Sequence, residues 1–129
     1  MTDWPWKNFP QHEMRCKETG ELAILPSFMD RLQRLRDDFA KPMVISSGYR
    51  SPKHSIEIAK SQPGTHAMGC AVDVQISGAD VTRLIALANK HGFTGIGVRQ
   101  YGEYKKRIVH LDDAPEAPWR PRPHFWSYP

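Results

Sequence analysis

Apolar residues change their spacing several times along this chain, and each change marks an element. Phe28, Leu32, Leu35 and Phe39 recur at helical spacing, with Asp30, Arg31, Arg34 and Asp37 on the other side. This predicts a helix with Ser27 as N-cap and Asp30 as the capping-box acid three residues later; Pro42 ends it. A second helix is predicted over residues 80–91, where Val81, Leu84, Ile85 and Ala88 form the buried stripe and Gly92 supplies the stop. Between the two, residues 43–46 read as a short strand, 47–52 as the turn after it, and 53–60 as a brief helix carrying His54.

Elsewhere the spacing switches to two. Over residues 70–76, Asp73 and Gln75 point one way while Val72, Val74 and Ile76 point the other. Residues 94–98 and 107–111 read as the strands of an antiparallel hairpin with a polar, irregular connection. Within Ile108-Val109-His110-Leu111-Asp112, His110 and Asp112 share one face, and Val109 and Leu111 face the core. Residues 1–26 have no period and read as an irregular leader. Residues 113–129 hold five prolines with Trp119, Phe125 and Trp126, which predicts an extended strap anchored on the body by its aromatics.

Composition narrows the class without naming a function. A chain of 129 residues, 40% hydrophobic and 25% charged, suits one domain over residues 1–129 with a real core. The net charge of +4 is spread over scattered lysines and arginines, the pattern of a solvated surface rather than a nucleic-acid footprint. It also suits an anionic polymer such as a bacterial cell wall. Cys16 and Cys70 lack C-x-x-C spacing; a disulfide between them is open, but Cys70 in a buried strand reads as a small apolar filler. The N-terminus lacks the basic start and apolar run of a signal peptide, and no stretch approaches the roughly 20 apolar residues that cross a bilayer. The expectation is a protein made in the cytosol, without membrane insertion, that is exported by another route if at all.

The candidate chemistry starts at His66 and Asp73, a histidine and an acid seven positions apart with small residues between. An acid among apolar strand residues costs free energy unless it is paired or bound to a metal. His110 is the candidate third ligand. Two histidines and one carboxylate leave a fourth position on zinc for water, the arrangement of a catalytic site; iron(II) takes the same ligand types. Each of these residues alone is more often a satisfied structural side chain.

Three motifs in order decide between these readings. Ser46-Ser47-Gly48-Tyr49-Arg50-Ser51-Pro52, His66-Ala67-Met68-Gly69-Cys70-Ala71-Val72-Asp73 and Val109-His110-Leu111-Asp112 resemble the zinc D-alanyl-D-alanine carboxypeptidase family, in particular its small bacterial and phage peptidases. The leader from Phe9 to Glu21 also looks like that of the phage-type members. The resemblance implies an α+β fold, a small antiparallel sheet flanked by helices, shared with the zinc-binding domain of hedgehog proteins. It implies Zn2+ on His66, Asp73 and His110, with peptidoglycan stem peptides as substrate, cut beside a D-amino acid. Arg50 matches the family arginine, whose charged fork suits a substrate carboxylate or a developing oxyanion.

Two positions depart from the family pattern. A serine two residues before the first zinc histidine is Gly64 here. The acid that many members carry three residues before the last zinc histidine, as general base, is Arg107 here. Asp112 is the candidate replacement, as base or as hydrogen-bond partner of His110, and Glu103 a weaker one. The missing acid motivates an alternative, a virion or cell-wall binding module that keeps the fold without activity. A nucleic-acid partner has only mild basicity behind it.

Overall fold

The computed structural model describes residues 3–129. Its elements are α1 (Gln11–Met14), α2 (Pro26–Phe39), β1 (Val44–Ser47), α3 (Ser55–Ile58), β2 (Ala71–Gln75), α4 (Ala79–Lys90), β3 (Gly95–Arg99), β4 (Ile108–Asp112) and β5 (His124–Ser127), with a 3-10 turn at Tyr104–Lys106. The predicted elements are found within a few residues of their expected bounds, and the leader gains one helical turn, α1. The strands form one sheet in the order β1-β2-β4-β3-β5.

Alternation sorts the sheet into two faces. Ile45, Val72, Val74, Ile96, Val109 and Leu111 lie on one, and Phe28, Met29, Leu32, Leu35 and Phe39 of α2 and Val81, Leu84 and Ala88 of α4 cover them. Each side chain of this kind contributes about 1.5–3 kcal/mol when fully buried, so the face is fixed by its packing. The other face carries Asp73, His110 and Asp112, with Gly95 level with Asp112 and Gly97 level with His110 on β3, and Arg99 two residues further along the same face. Among the described residues, both long helices, α2 and α4, pack on the apolar face instead.

The fold is α+β, with two differences from expectation. The sheet is mixed, because β5 pairs with β3 in parallel (Gly95 with His124, Gly97 with Trp126). The register explains this. β4 ends at Asp112, level with Gly95 at the start of β3, so a tail turning there can only run along β3 in the same direction. Prolines keep residues 113–123 out of the sheet, apart from a local bridge between Ala117 and Arg120; sheet pairing starts where donors return, His124 N–H to Thr94 O (2.9 Å) and Tyr128 N–H to Val98 O (3.0 Å). Trp126 is the aromatic that anchors this tail, while Trp119 and Phe125 are exposed.

The second difference is the start of α2. Pro26 occupies the first turn and Leu25 the cap position, with no side-chain cap. Proline's fixed φ suits that place, and Leu25 N–H is satisfied by Gly69 O at 2.8 Å. Asp30 instead accepts from Trp6 Nε1–H at 2.9 Å. Cys16 and Cys70 are buried free thiols, and burial pushes Cys70 up to about 12.

Residues 48–70 connect β1 to β2 and are held by a clasp on Glu57. Its Oε2 accepts from Lys60 Nζ at 2.7 Å and from Arg50 Nη1 at 3.4 Å, and its Oε1 from Gly64 N at 2.9 Å. Burial alone raises this carboxyl, but Lys60, the Gly64 N–H and Arg50 together hold it below the usual glutamate range. A depressed folded-state pKa means stability that is present above the unfolded value of about 4.3 and lost as pH falls through the folded one. Glu57→Gln is therefore expected to cost about 1–2 kcal/mol at pH 7, measured by urea unfolding. The gap from wild type should close as pH falls below the unfolded value of about 4.3; a gap that stays constant on acidification contradicts the clasp.

Candidate metal centre

Two backbone constraints deliver His66 to the sheet. Its Nδ1 donates to Gly48 O at 2.7 Å, and Arg50 N–H donates to His66 O at 3.3 Å, so the S-G-Y-R turn and the His66 loop brace each other. Nε2 is then turned toward Asp73, 3.3 Å from Oδ1. Asp73 on β2 sits directly opposite His110 on β4, and that register brings His110 Nδ1 to 3.0 Å from the same oxygen. His66, Asp73 and His110 each offer a ligand atom within 4.8 Å of the others. Asp73 is the convergence point.

The outer nitrogen of His110 is also fixed. Nε2 donates to Asp112 Oδ2 at 2.7 Å, so a cation that displaces the proton Nδ1 shares with Asp73 would meet the Nδ1 lone pair between Asp73 and His66. Asp112 is fully buried and spent on neighbours: Arg122 donates through Nε to Oδ1 (3.0 Å) and through Nη2 to Oδ2 (2.8 Å), and Ala114 N–H reaches Oδ1 at 3.1 Å. A β-carbon on Gly95 would collide with this carboxylate, and one on Gly97 would lie 2.5 Å from the Trp126 ring. The two glycines are what let Asp112 and the indole lie across β3. Trp126 then packs against His110, ring centres 5.2 Å apart.

Burial would raise Asp73, but hydrogen bonds from His110 and His66 hold it well below the usual carboxylate range. Burial would lower His110, but Asp112 and Asp73 raise it overall. Asp112 is likewise held ionised by His110 and Arg122 against its burial. Two ring nitrogens converging on an ionised, largely buried carboxylate are the donor set of a divalent cation site, and both histidines have their other nitrogen committed, as metal-binding histidines do. The residues fit zinc.

These groups form the floor of a cleft of about 490 Å³ whose walls include Arg50, Lys60, Arg99, Arg122, Trp126 and Tyr128. Arg50 thus reaches the cleft, while Asp112 lies behind His110 and does not line it. The Arg107 guanidinium turns away to Gly102 O (Nε–O 3.0 Å) and Glu103 is exposed on its loop. His54 caps α3 by accepting from Ile56 N–H and pairs with Glu18, outside the cleft. A side chain at Gly64 would crowd the Lys60 ammonium, 2.6 Å from the β-carbon position. Sequence reasoning missed Glu57, Lys60, Arg99, Arg122 and Tyr128, although alternation of His124, Trp126 and Tyr128 would have put the last on the Trp126 face.

A family model described as Peptidase M15 matches residues 7–112. None of the curated proteins matches the chain. The matched span holds the motif turn, the three converging ligand positions and strands β1 to β4, and stops before the segment that brings Arg122, Trp126 and Tyr128 to the cleft. The chain belongs to the peptidase M15 family, whose members are metallopeptidases related to zinc D-Ala-D-Ala carboxypeptidases.

Proposed function

We propose that this peptidase is zinc-dependent and hydrolyses peptide bonds in peptidoglycan stem peptides, next to a D-amino acid. The observation that carries the reading is the convergence of His66 Nε2, Asp73 Oδ1 and His110 Nδ1 on the floor of a cationic cleft. A zinc ion there supplies a water whose pKa is lowered toward ~7 and polarisation of the substrate carbonyl.

The remaining tasks fall to the chain's own side chains. Arg50 offers a planar, permanently charged fork to a substrate carboxylate or to the oxyanion that develops at the cleaved carbonyl. Asp112 is a positioning residue: it accepts from His110 Nε2 and so presents Nδ1 to the cation. As general base it would need a lone pair facing the cleft, and its oxygens are occupied by His110, Arg122 and Ala114 N–H. Trp126 excludes water from one side of His110. The protein acts at the cell wall, reached through lysis, another export route or a phage particle, without nucleic-acid partner or membrane insertion.

One observation favours a second reading, a wall-binding or virion module without turnover. Among the described residues lining the cleft, Asp73 is the sole carboxylate, and it is a ligand candidate rather than a free base.

Protein purified without chelators is expected to carry about one zinc per chain, lost with His66→Ala or Asp73→Ala, and to release cleaved stem peptides from purified peptidoglycan, read by mass spectrometry. An empty site in zinc-supplemented protein contradicts the reading; zinc-replete protein that binds peptidoglycan and releases nothing establishes the module. Asp112→Asn should weaken zinc about 10- to 100-fold in competition with a chelator. Abolished turnover at undiminished zinc affinity would make Asp112 the base instead.

A further inference from the structure

The cleft lining carries four cations, Arg50, Lys60, Arg99 and Arg122, against the single carboxylate of Asp73. Three of the four have partners. Arg122 is locked on Asp112, and Arg50 and Lys60 both reach Glu57. Arg99 has none: among the described residues it joins no ion pair, and its Nε is a buried nitrogen without any hydrogen-bond partner. An unsatisfied buried donor forfeits its hydration with nothing in return, so folded proteins keep few of them. A donor of that kind in the wall of a ligand cleft is completed by the ligand.

The placement is as informative as the missing partner. Gly97 faces His110 across the β3–β4 ladder, and Arg99 is the next residue on that face, opposite Ile108. It is therefore a diagonal neighbour of a metal-binding histidine, about 7–8 Å away backbone to backbone. The guanidinium is held in place: it lies 4.6 Å from the centre of the Tyr101 ring, whose hydroxyl donates to the Pro129 carbonyl. A fixed planar fork loses less freedom on binding than a mobile lysine.

From this geometry we infer that Arg99 is a specificity residue that anchors a carboxylate of the substrate, a role separate from that of Arg50. The carboxylate belongs to the residue on the β3 side of the cut bond, either as a C-terminal α-carboxylate or as an acidic side chain. Both present the same two-oxygen acceptor to the fork. Glu57 already draws on Arg50 and Lys60, which leaves Arg99 as the uncompensated charge that a carboxylate meets. The inference rests on the peptidase reading for its substrate class, while the binding it predicts is measured without turnover.

The test uses the zinc-loaded protein and three probes: diacetyl-L-Lys-D-Ala-D-Ala as free acid, the same peptide as C-terminal amide, and diacetyl-L-Lys-D-Ala-D-Glu as α-amide. Affinity is read by calorimetry, and kcat and KM wherever cutting occurs. Arg99→Gln should weaken a carboxylate-bearing peptide about ten- to hundredfold, chiefly in KM, and leave the neutral amide and the zinc content unchanged. Arg99→Lys should recover part of the preference, since it restores the charge but not the fork. A penalty on the free acid assigns the α-carboxylate; a penalty on the D-Glu amide assigns the side chain. Equal loss on all three peptides, loss on none, or a wild type that binds neither carboxylate-bearing peptide better than the neutral amide overturns the inference. Binding preference with no turnover of any peptide would count against the peptidase reading and leave Arg99 standing.

Discussion

A row of hydrogen-bonded polar and charged side chains crosses the cleft face of the sheet, from His66 through Asp73 and His110 to Asp112 and Arg122, and the other features of the site depend on it. Each member is buried or nearly so, and a buried charge survives only with partners. Asp73 draws on two imidazoles; Asp112 draws on one imidazole and a guanidinium. The row is continuous because His110 stands opposite Asp73 on one side and Gly97 on the other, so a slip of one residue would turn Asp73 or His110 into the apolar core. Val72, Val74, Val109 and Leu111, packed under α2 and α4, forbid that slip. The apolar face therefore fixes the geometry of the chemical one.

Keeping the helices to one side leaves the other free for a cleft, and loops and the C-terminal segment build its walls. The His66 loop forms one wall, tied to the S-G-Y-R turn and clasped by Glu57; β5 forms the opposite one. Gly95 and Gly97 make room for what lies between. The family match ends at residue 112, so the M15 framework supplies the ligand positions, and the segment after it supplies Arg122 and Trp126.

Much of this was legible in the sequence wherever the signal was local. Period-two alternation in β2 and β4 separated ligand candidates from core, and the helical stripes of α2 and α4 were plain. Three motifs in order gave His66, Asp73, His110 and Arg50 as candidates, and the fold brings them to one cleft. What stayed hidden depends on non-local pairing. Nothing in the proline-rich tail says that His124–Ser127 will lie parallel to β3, since that follows from where β4 ends. The occupancy of Asp112 requires Arg122, a residue that reads only as charge beside a proline. Glu57 sits in a single helical turn too short to show a buried side, so its clasp on Arg50, Lys60 and Gly64 has no periodic signature.

Whether one cation is held by these particular atoms can be read from zinc-edge anomalous diffraction on crystals grown with zinc. One strong peak is expected, about 2.0–2.2 Å from His66 Nε2, Asp73 Oδ1 and His110 Nδ1, with His110 Nε2 still hydrogen-bonded to Asp112. A peak elsewhere, a peak bound through His110 Nε2, or no peak at this place in zinc-replete crystals would contradict it.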